Sequence, residues 1–221
     1  NNNEITRQSW FYYDNNENVE AVPSIGFLTK KIDWAGLDDH AGPATHYSYD
    51  AYGNLLTTTD ANNHSTSIVY DNTYHLFPLV TTNALNHQVS NEYYGVDGVA
   101  LDSGDGFHGL WGQLKSTTDP NHQQGKKTYD IFGRVLATVS PLDSIDYPTS
   151  SVEYEINSSY VKITTHVRKE HNQISTIDSV QFYDGLGRLI ETKSFSEAPG
   201  QYIVSGQTEY NSRGLPIRKH L

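Results

Sequence analysis

Apolar and polar side chains alternate along many short segments of this chain, which is the two-residue period of a β-strand. Val161, Ile163 and Val167 would share one face of such a strand, and Lys162 and His166 would share the other. No window of eleven or more residues shows a helical stripe, and Gly or Pro interrupts most candidates. The pattern therefore predicts an all-β fold.

An internal repeat organises these strands. The octet Tyr-Asp-x-x-Gly, followed by Asn or Arg and two apolar residues, occupies residues 49–56, 129–136 and 183–190. A weaker copy lies at residues 210–217. The predicted structural residues of this signature are Tyr49, Asp50, Gly53, Tyr129, Asp130, Gly133, Arg134, Tyr183, Asp184, Gly187, Arg188, Tyr210 and Gly214.

A second, fainter element lies between the octets, at residues 60–64, 83–87 and 119–122. Each copy opens with Asp or Asn and ends in residues that tolerate a positive φ. Left-handed backbone is therefore expected at Asn63, Asn86 and His122.

Two turns in each period of about 20–25 residues leave two strands of the usual length, so each period is one β-hairpin. The Asp side chain is expected to open each turn as a hydrogen-bond acceptor, and Gly to supply the left-handed residue. The repeat Tyr should end the incoming strand and cover its neighbour. We predict repetitive antiparallel β-hairpins in a single segment over residues 1–221, with a Gly- and Asp-rich insertion at 95–112.

Composition favours a thin sheet over a dense globule, because only 36% of the residues are hydrophobic and these include 16 Tyr. The chain contains no Cys, which excludes disulfides and thiolate chemistry. It also contains no Met, which suggests a piece of a longer chain.

No run of about 18 apolar residues indicates a membrane span, and no signal peptide is recognisable. The net charge of −11 argues against nucleic-acid binding. Residues 1–120 hold fifteen acidic and four basic side chains, typical of a solvated acidic face.

The octets resemble the repeats of the RHS/YD-repeat family over about residues 10–220. More narrowly, residues 70–82, 111–114 and 183–188 are similar to the repeat region of insecticidal toxin-complex B components and related secreted YD-repeat proteins. The resemblance implies a curved strip of β-hairpins wound into a hollow shell that encloses a C-terminal toxin or effector. It also implies a secreted or cell-surface virulence protein. Its partners would be the remainder of the shell and the enclosed polypeptide cargo.

Teneurin-like and wall-associated relatives use the same strip as an extracellular scaffold. An adhesion or glycan-binding role is therefore the alternative, with Phe107 and Trp111 as the expected contact residues. On either hypothesis an open strip exposes strand edges that invite pairing with another chain.

Two motifs in the insertion suggest ligands. Residues 104–109 match G-x-G-x-x-G, but no buried strand and helix flank them as a dinucleotide site requires. Asp97, Asp102 and Asp105 could offer oxygens to Ca²⁺, although their spacing is not that of a calcium loop. A glycine-rich loop and a solvated turn are the simpler interpretations.

Two further motifs suggest catalysis or metal binding. Glu153 and Glu155 resemble the paired glutamates of ADP-ribosyltransferases, but an alternating strand explains both as exposed residues. Asp38, Asp39, His40 and His46 form the densest acid–histidine cluster, and a polar loop accounts for them. The sequence therefore predicts no enzyme, no catalytic residue, no cofactor and no metal site.

Overall fold

The computed structural model describes residues 7–34, 36, 40–101, 110–196 and 201–220. Seventeen strands and no α-helix are found in these ranges, which confirms the all-β prediction. Strands β1 to β15 follow one another in sequence order in one sheet, and every pair of known register is antiparallel. In the described ranges no helix is long and apolar enough to cross a membrane.

The strands are short, as expected for hairpins that turn about every ten residues. They are β1 Ser9–Tyr13, β2 Leu28–Asp33, β3 Ala44–Tyr49, β4 Leu55–Thr59, β5 Ser65–Tyr70, β6 Pro78–Thr82, β7 Gln88–Tyr93, β8 Leu114–Thr118, β9 Gln124–Tyr129, β10 Val135–Val139, β11 Ser150–Ile156, β12 Tyr160–Arg168, β13 Thr176–Asp184, β14 Leu189–Phe195, β15 Tyr202–Ser205, β16 Thr208–Tyr210 and β17 Pro216–Lys219. The last two form a separate two-stranded sheet.

Two compact units divide the chain, one comprising Asn1–Asp102 with Thr117–Gln123 and the other Ser103–Ser116 with Gln124–Leu221. In the first unit, Trp10, Tyr12 and Ile32 form a small buried cluster, and Val96 is only 1% exposed. In the second unit, the buried apolar residues are Leu110, Val139 and Val180. The described part of each unit thus has a small core, and most of its strand residues are only half-buried.

A β-bulge accompanies each Tyr-Asp or Tyr-Asn hairpin whose register is described. Tyr49 pairs with Leu55, but Ser48 pairs with Thr57, so one residue of the outgoing strand has no partner. The same shift occurs at the other hairpins of this type, which begin at Tyr13, Tyr70, Tyr129, Tyr183 and Tyr210. A bulge bends its strand and increases the local twist, so this repeat recurrently bends the sheet.

Candidate functional site

The recurrent site of this protein is a five-residue turn that begins with Asp or Asn. In the turn at residues 50–54, one carboxylate oxygen of Asp50 accepts hydrogen bonds from the backbone N–H groups of Tyr52 and Asn54, at 2.9 and 2.8 Å. The Asp50 N–H donates to the Asn54 carbonyl, and the Gly53 N–H donates to the Asp50 carbonyl. One side-chain oxygen therefore satisfies two turn donors that would otherwise lack a protein partner.

The same pattern of bonds closes seven turns in the described ranges. Their first residues are Asp50, Asp60, Asn83, Asp119, Asp130, Asp184 and Asn211. In every case the side-chain oxygen accepts from the second and fourth residues that follow. The octet and the fainter element, which differ in sequence, are therefore one structural turn.

The fourth residue of each turn lies in the left-handed region. Gly53 has φ 92° and Gly187 has φ 76°, and the expected non-glycine positions Asn63, Asn86 and His122 have φ between 61° and 63°. Those three predictions are confirmed. Asn and His tolerate this region better than most residues with a Cβ, which is why they replace Gly here.

The fifth residue of the turn distinguishes the strongest repeats. Nε of Arg188 donates to the second carboxylate oxygen of Asp184 at 2.7 Å, and its guanidinium lies 4.1 Å from the ring centroid of Tyr210. Hydrogen bonding from the Arg188 side chain is the largest of the effects that lower the pKa of Asp184. Arg134 repeats the arrangement with Asp130 and, at 4.3 Å, with the ring of Tyr154.

Arginine therefore joins its own turn to a tyrosine of the following repeat. In the first octet Asn54 replaces Arg. Its side-chain amide donates both to Asp50 at 2.9 Å and to the carbonyl of His75 at 2.6 Å. All three octets thus connect one turn to the next period through the fifth residue.

The repeat tyrosines form a second connection between neighbouring strands. The Tyr49 hydroxyl donates to the carbonyl of Leu28, the first residue of β2, at 2.9 Å. Tyr129 does the same to Leu114 at 2.9 Å, and burial raises the pKa of both hydroxyls. Tyr183 departs from this pattern, because its hydroxyl donates to the side chain of Gln181 at 3.2 Å.

Two longer turns use the same leading aspartate. Asp71 is 1% exposed, and its two oxygens accept from the N–H groups of Thr73, Tyr74, Leu76 and Phe77. Burial alone would raise its pKa, but the backbone donors outweigh burial and lower the pKa to about 2. The sequence repeat did not reveal this role, because Tyr70-Asp71 lacks the remainder of the octet.

Asp14 holds the longest of these turns. Its oxygens accept from four consecutive backbone N–H groups, from Ser24 to Phe27, at 2.7 to 3.1 Å. These bonds, the one from Ile25 first, lower the pKa of Asp14 well below its usual range. A single carboxylate thus accepts from the backbone N–H groups of residues 24–27, which in a β-sheet would donate to carbonyls of a neighbouring strand.

The ligand motifs of the insertion and of the acidic loop fall largely outside the described residues. Residues 104–109, Asp102 and Asp105 lie there, as do Asp38 and Asp39. Asp97 is described, and its oxygens accept from the Asn72 N–H at 3.2 Å and the Thr73 hydroxyl at 3.1 Å. No group of three or more His, Asp or Glu suited to a metal ion occurs in the described ranges.

The paired glutamates lie where an alternating strand places them. Glu153 and Glu155 are both exposed on β11, and Glu155 pairs in register with Lys162. Nδ1 of His166 lies 2.8 Å from Asp178, and its Nε2 lies 3.8 Å from Glu153. The two strands that flank β12 thus each place one carboxylate oxygen within 4 Å of the same imidazole, without a hydrogen bond to its Nε2.

A shallow groove of about 680 Å³ runs over strands β11 to β15 beside this cluster. Its lining is aromatic and aliphatic with three charged side chains, namely Phe182, Phe195, Tyr202, Val180, Val204, Thr164, Glu153, Lys162 and Lys193. Lys162 and Lys193 are paired with Glu155 and Glu191 at 3.1 and 2.8 Å. The lining can bind apolar side chains, but it contains no nucleophile activated by a base.

The structure therefore places the Asp, Gly and Arg residues of each signature in one turn, and it places the repeat Tyr in the strand that leads into that turn. Residues 28–65 match the RHS Repeat family. No curated protein matches the chain.

Two solved structures share the fold. The first is "Crystal Structure of TcdB2-TccC3-TEV", to which this chain is 14% identical with a TM-score of 0.55. The aligned region covers 97% of this chain and 14% of that one. For "Crystal Structure of TcdB2-TccC3" the identity is 17%, the TM-score 0.54 and the coverage 95% and 11%. This chain thus spans about one-seventh or less of their length.

Proposed function

We propose that this chain is a wall segment of a larger RHS/YD-repeat shell that encloses a polypeptide cargo. The proposal is supported by the match of residues 28–65 to the RHS Repeat family and by the fold shared with two solved structures. On this proposal the chain is a structural scaffold and not an enzyme. The parent protein is exported, and the cargo is a toxin or effector. The partners of residues 1–221 are then the remaining repeats of the shell and the polypeptide inside it.

The observation that carries the proposal is that turns with one hydrogen-bond pattern set the hairpins, while only a small core is buried beside them. Seven turns with one hydrogen-bond pattern set the hairpins of the described strip. Eight apolar residues are buried in the described ranges. A repeat fold that is held by its turns and by contacts between neighbouring repeats does not need a large core, so it can form a thin wall.

Large apolar side chains remain part-exposed on both faces of the second unit. On one face Val167 and Ile177, which pair in register, are 45% and 56% exposed. On the other face Phe195 and Tyr202, which also pair, are 40% and 51% exposed. Apolar surface on both faces supports contact with further protein, and the groove beside Tyr202 suits the apolar side chains of an unfolded cargo.

The test is an electron cryomicroscopy map of the full-length parent protein. We expect a hollow particle with residues 1–221 in its wall and weak, unstructured density inside. An extended rod, or a solid particle with this segment at its centre, would contradict the proposal. Limited proteolysis supplies a second readout, because an enclosed cargo should survive a protease that degrades the same cargo expressed alone.

An extracellular adhesion scaffold is the second candidate, and the 41% exposure of Trp111 favours it. Exposed Trp is a frequent contact residue at binding surfaces. The other expected contact, Phe107, lies outside the described residues. Binding of the chain to a glycan array that is lost in Trp111→Ala, with unchanged circular dichroism, would support adhesion. Equal signals from both proteins would exclude Trp111 as the contact.

A further inference from the structure

A small cleft of about 260 Å³ lies between the turn that joins β6 to β7 and the turn that joins β8 to β9. Its lining comes from both turns and includes Asn86, His87, Gln88, Asp119, Pro120 and His122. All of these residues belong to the first compact unit. Pockets for drug-sized ligands begin at roughly 300 Å³, so this cleft suits a single side chain or a molecule of that size.

The lining offers hydrogen-bond acceptors and one negative charge. Asp119 carries the charge, the amide oxygens of Asn86 and Gln88 accept hydrogen bonds, and a neutral imidazole has one acceptor nitrogen. Among the described residues that line the cleft, none is Lys or Arg. Residues 1–120 hold fifteen acidic and four basic side chains, so the field of this part of the chain also favours a cation.

Asp119 differs from the other aspartates that begin the repeated turns. Four turns in which the fifth side chain bonds to the second carboxylate oxygen, at 2.6 to 3.1 Å, begin at Asp50, Asp60, Asp130 and Asp184. Oδ1 of Asp119 accepts both turn bonds, but Oδ2 accepts none from the described residues. The fifth residue here is Gln123, and its side chain forms no bond with Asp119 in the described structure. This turn therefore lacks the side-chain donor that completes the other four.

In two of the completed turns that donor is a guanidinium. Nε of Arg134 and Nε of Arg188 donate to the second carboxylate oxygen at 2.6 and 2.7 Å, and each guanidinium lies over a tyrosine ring. The fold thus binds arginine with a carboxylate oxygen and a flat ring beside it. The cleft combines the same two groups, namely Oδ2 of Asp119 and the imidazole rings of His87 and His122.

We propose that this cleft binds the guanidinium group of an arginine side chain from another polypeptide. A guanidinium has five N–H donors and no acceptor, which matches an acceptor-rich lining. Oδ2 of Asp119 accepts a charge-assisted hydrogen bond, the amide oxygens of Asn86 and Gln88 accept from other donors, and Pro120 packs against the aliphatic stem. With one charged contact the binding is weak, with a dissociation constant of about 1 mM. The inference does not depend on the shell role.

The experiment is a titration of the ¹⁵N-labelled 221-residue chain with Nα-acetyl-arginine amide, followed by NMR. We expect saturable shifts of the amide signals of residues 83–90 and 118–123, with a dissociation constant of about 1 mM. Nα-acetyl-citrulline amide has nearly the same shape without the charge and should bind at least about tenfold more weakly. Nα-acetyl-lysine amide keeps the charge without the planar fork and should also bind more weakly.

Two variants and a matched control identify the cleft. Asp119→Asn removes the charge but keeps a turn oxygen, as Asn83 does, and should weaken binding at least about tenfold. Gln123→Arg gives the turn its own fifth-position guanidinium, as Arg188 does, and should block the ligand. Asp60→Asn is the control, because the second oxygen of Asp60 is already bonded to His64. It should bind like the original chain.

The proposal is overturned if the arginine and citrulline derivatives bind equally, or if Asp119→Asn binds like the original chain. Equal binding of the lysine derivative would show a general cation site and would overturn the assignment to guanidinium. Shifts that are spread over the chain and do not saturate would also overturn it. Should Asp119→Asn lose its β-sheet circular dichroism, the arginine–citrulline comparison and Gln123→Arg decide the question.

Discussion

Replacing Asp71 by Asn is the sharpest single test of how aspartate organises this fold. The two carboxylate oxygens accept four backbone N–H groups, and the side chain is almost fully buried. An Asn side chain keeps one acceptor oxygen and turns an N–H₂ group towards two of those donors. Buried donors left without an acceptor are costly, so Asp71→Asn should destabilise the first unit.

The lowered pKa sets the size of the effect. The shift of Asp71 from 3.8 to about 2 corresponds to about 2 kcal/mol, at roughly 1.4 kcal/mol for each pKa unit. Because the folded-state pKa is depressed, this stabilisation is fully present above the unfolded-state pKa. It is lost as the pH falls through the folded value, so the relevant window runs from about pH 4 to about pH 2.

Thermal unfolding followed by circular dichroism, repeated from neutral pH to pH 2, measures the effect. At neutral pH we expect Asp71→Asn to lower the Tm by about 6 °C, and the difference should shrink towards pH 2. Asp119→Asn is the matched control, because Asp119 accepts both described turn bonds with one oxygen, as Asn83 does. It should change the Tm by less than about 2 °C. Equal decreases of Tm in the two variants would refute this account. So would a Tm difference between Asp71→Asn and the original chain that persists at pH 2.

Three further substitutions test the turn and its connections by denaturant unfolding. Gly187→Val should lower the free energy of unfolding by about 1–2 kcal/mol. Gly187 has φ 76° and no atom lies within 4 Å of an added Cβ, so the loss comes from backbone strain and not from a steric clash. Gly185→Val, in the same turn without a positive φ, should cost clearly less, and equal costs would refute the turn assignment. Arg188→Lys should cost about 1 kcal/mol through its lost contacts with Asp184 and Tyr210, whereas Arg213→Lys should be neutral. Tyr129→Phe should cost about 1 kcal/mol by removing the bond to Leu114, and Tyr52→Phe, at a 66%-exposed ring, should not.

The turns could be predicted from sequence because their chemistry is local. Asp50 and Gly53 lie within one turn, and so do Asn83 and Asn86, so the residue types alone indicate an acceptor followed by a left-handed residue. The same locality explains why the hairpins and the all-β class followed from the pattern.

Contacts between successive repeats were not predictable in the same way. The bond from Tyr49 to the Leu28 carbonyl joins residues 21 positions apart, and it depends on the register of β2 against β3. The stacking of Arg188 on Tyr210 likewise requires knowing that β16 lies close to β14. Asp71 gave no signal beyond a Tyr-Asp pair, because its donors come from a loop of irregular length.

The central claim is that one side-chain oxygen closes every repeated turn, and residue-resolved amide hydrogen exchange of the 221-residue chain tests it most directly. The fifth-residue amides of the seven turns, including those of Asn54, Gln123 and Leu215, each donate to that oxygen. We predict that they are protected, while the amide of the second residue, such as Ala51, exchanges freely. Fast exchange at the fifth positions, with the neighbouring strands protected, would contradict the claim.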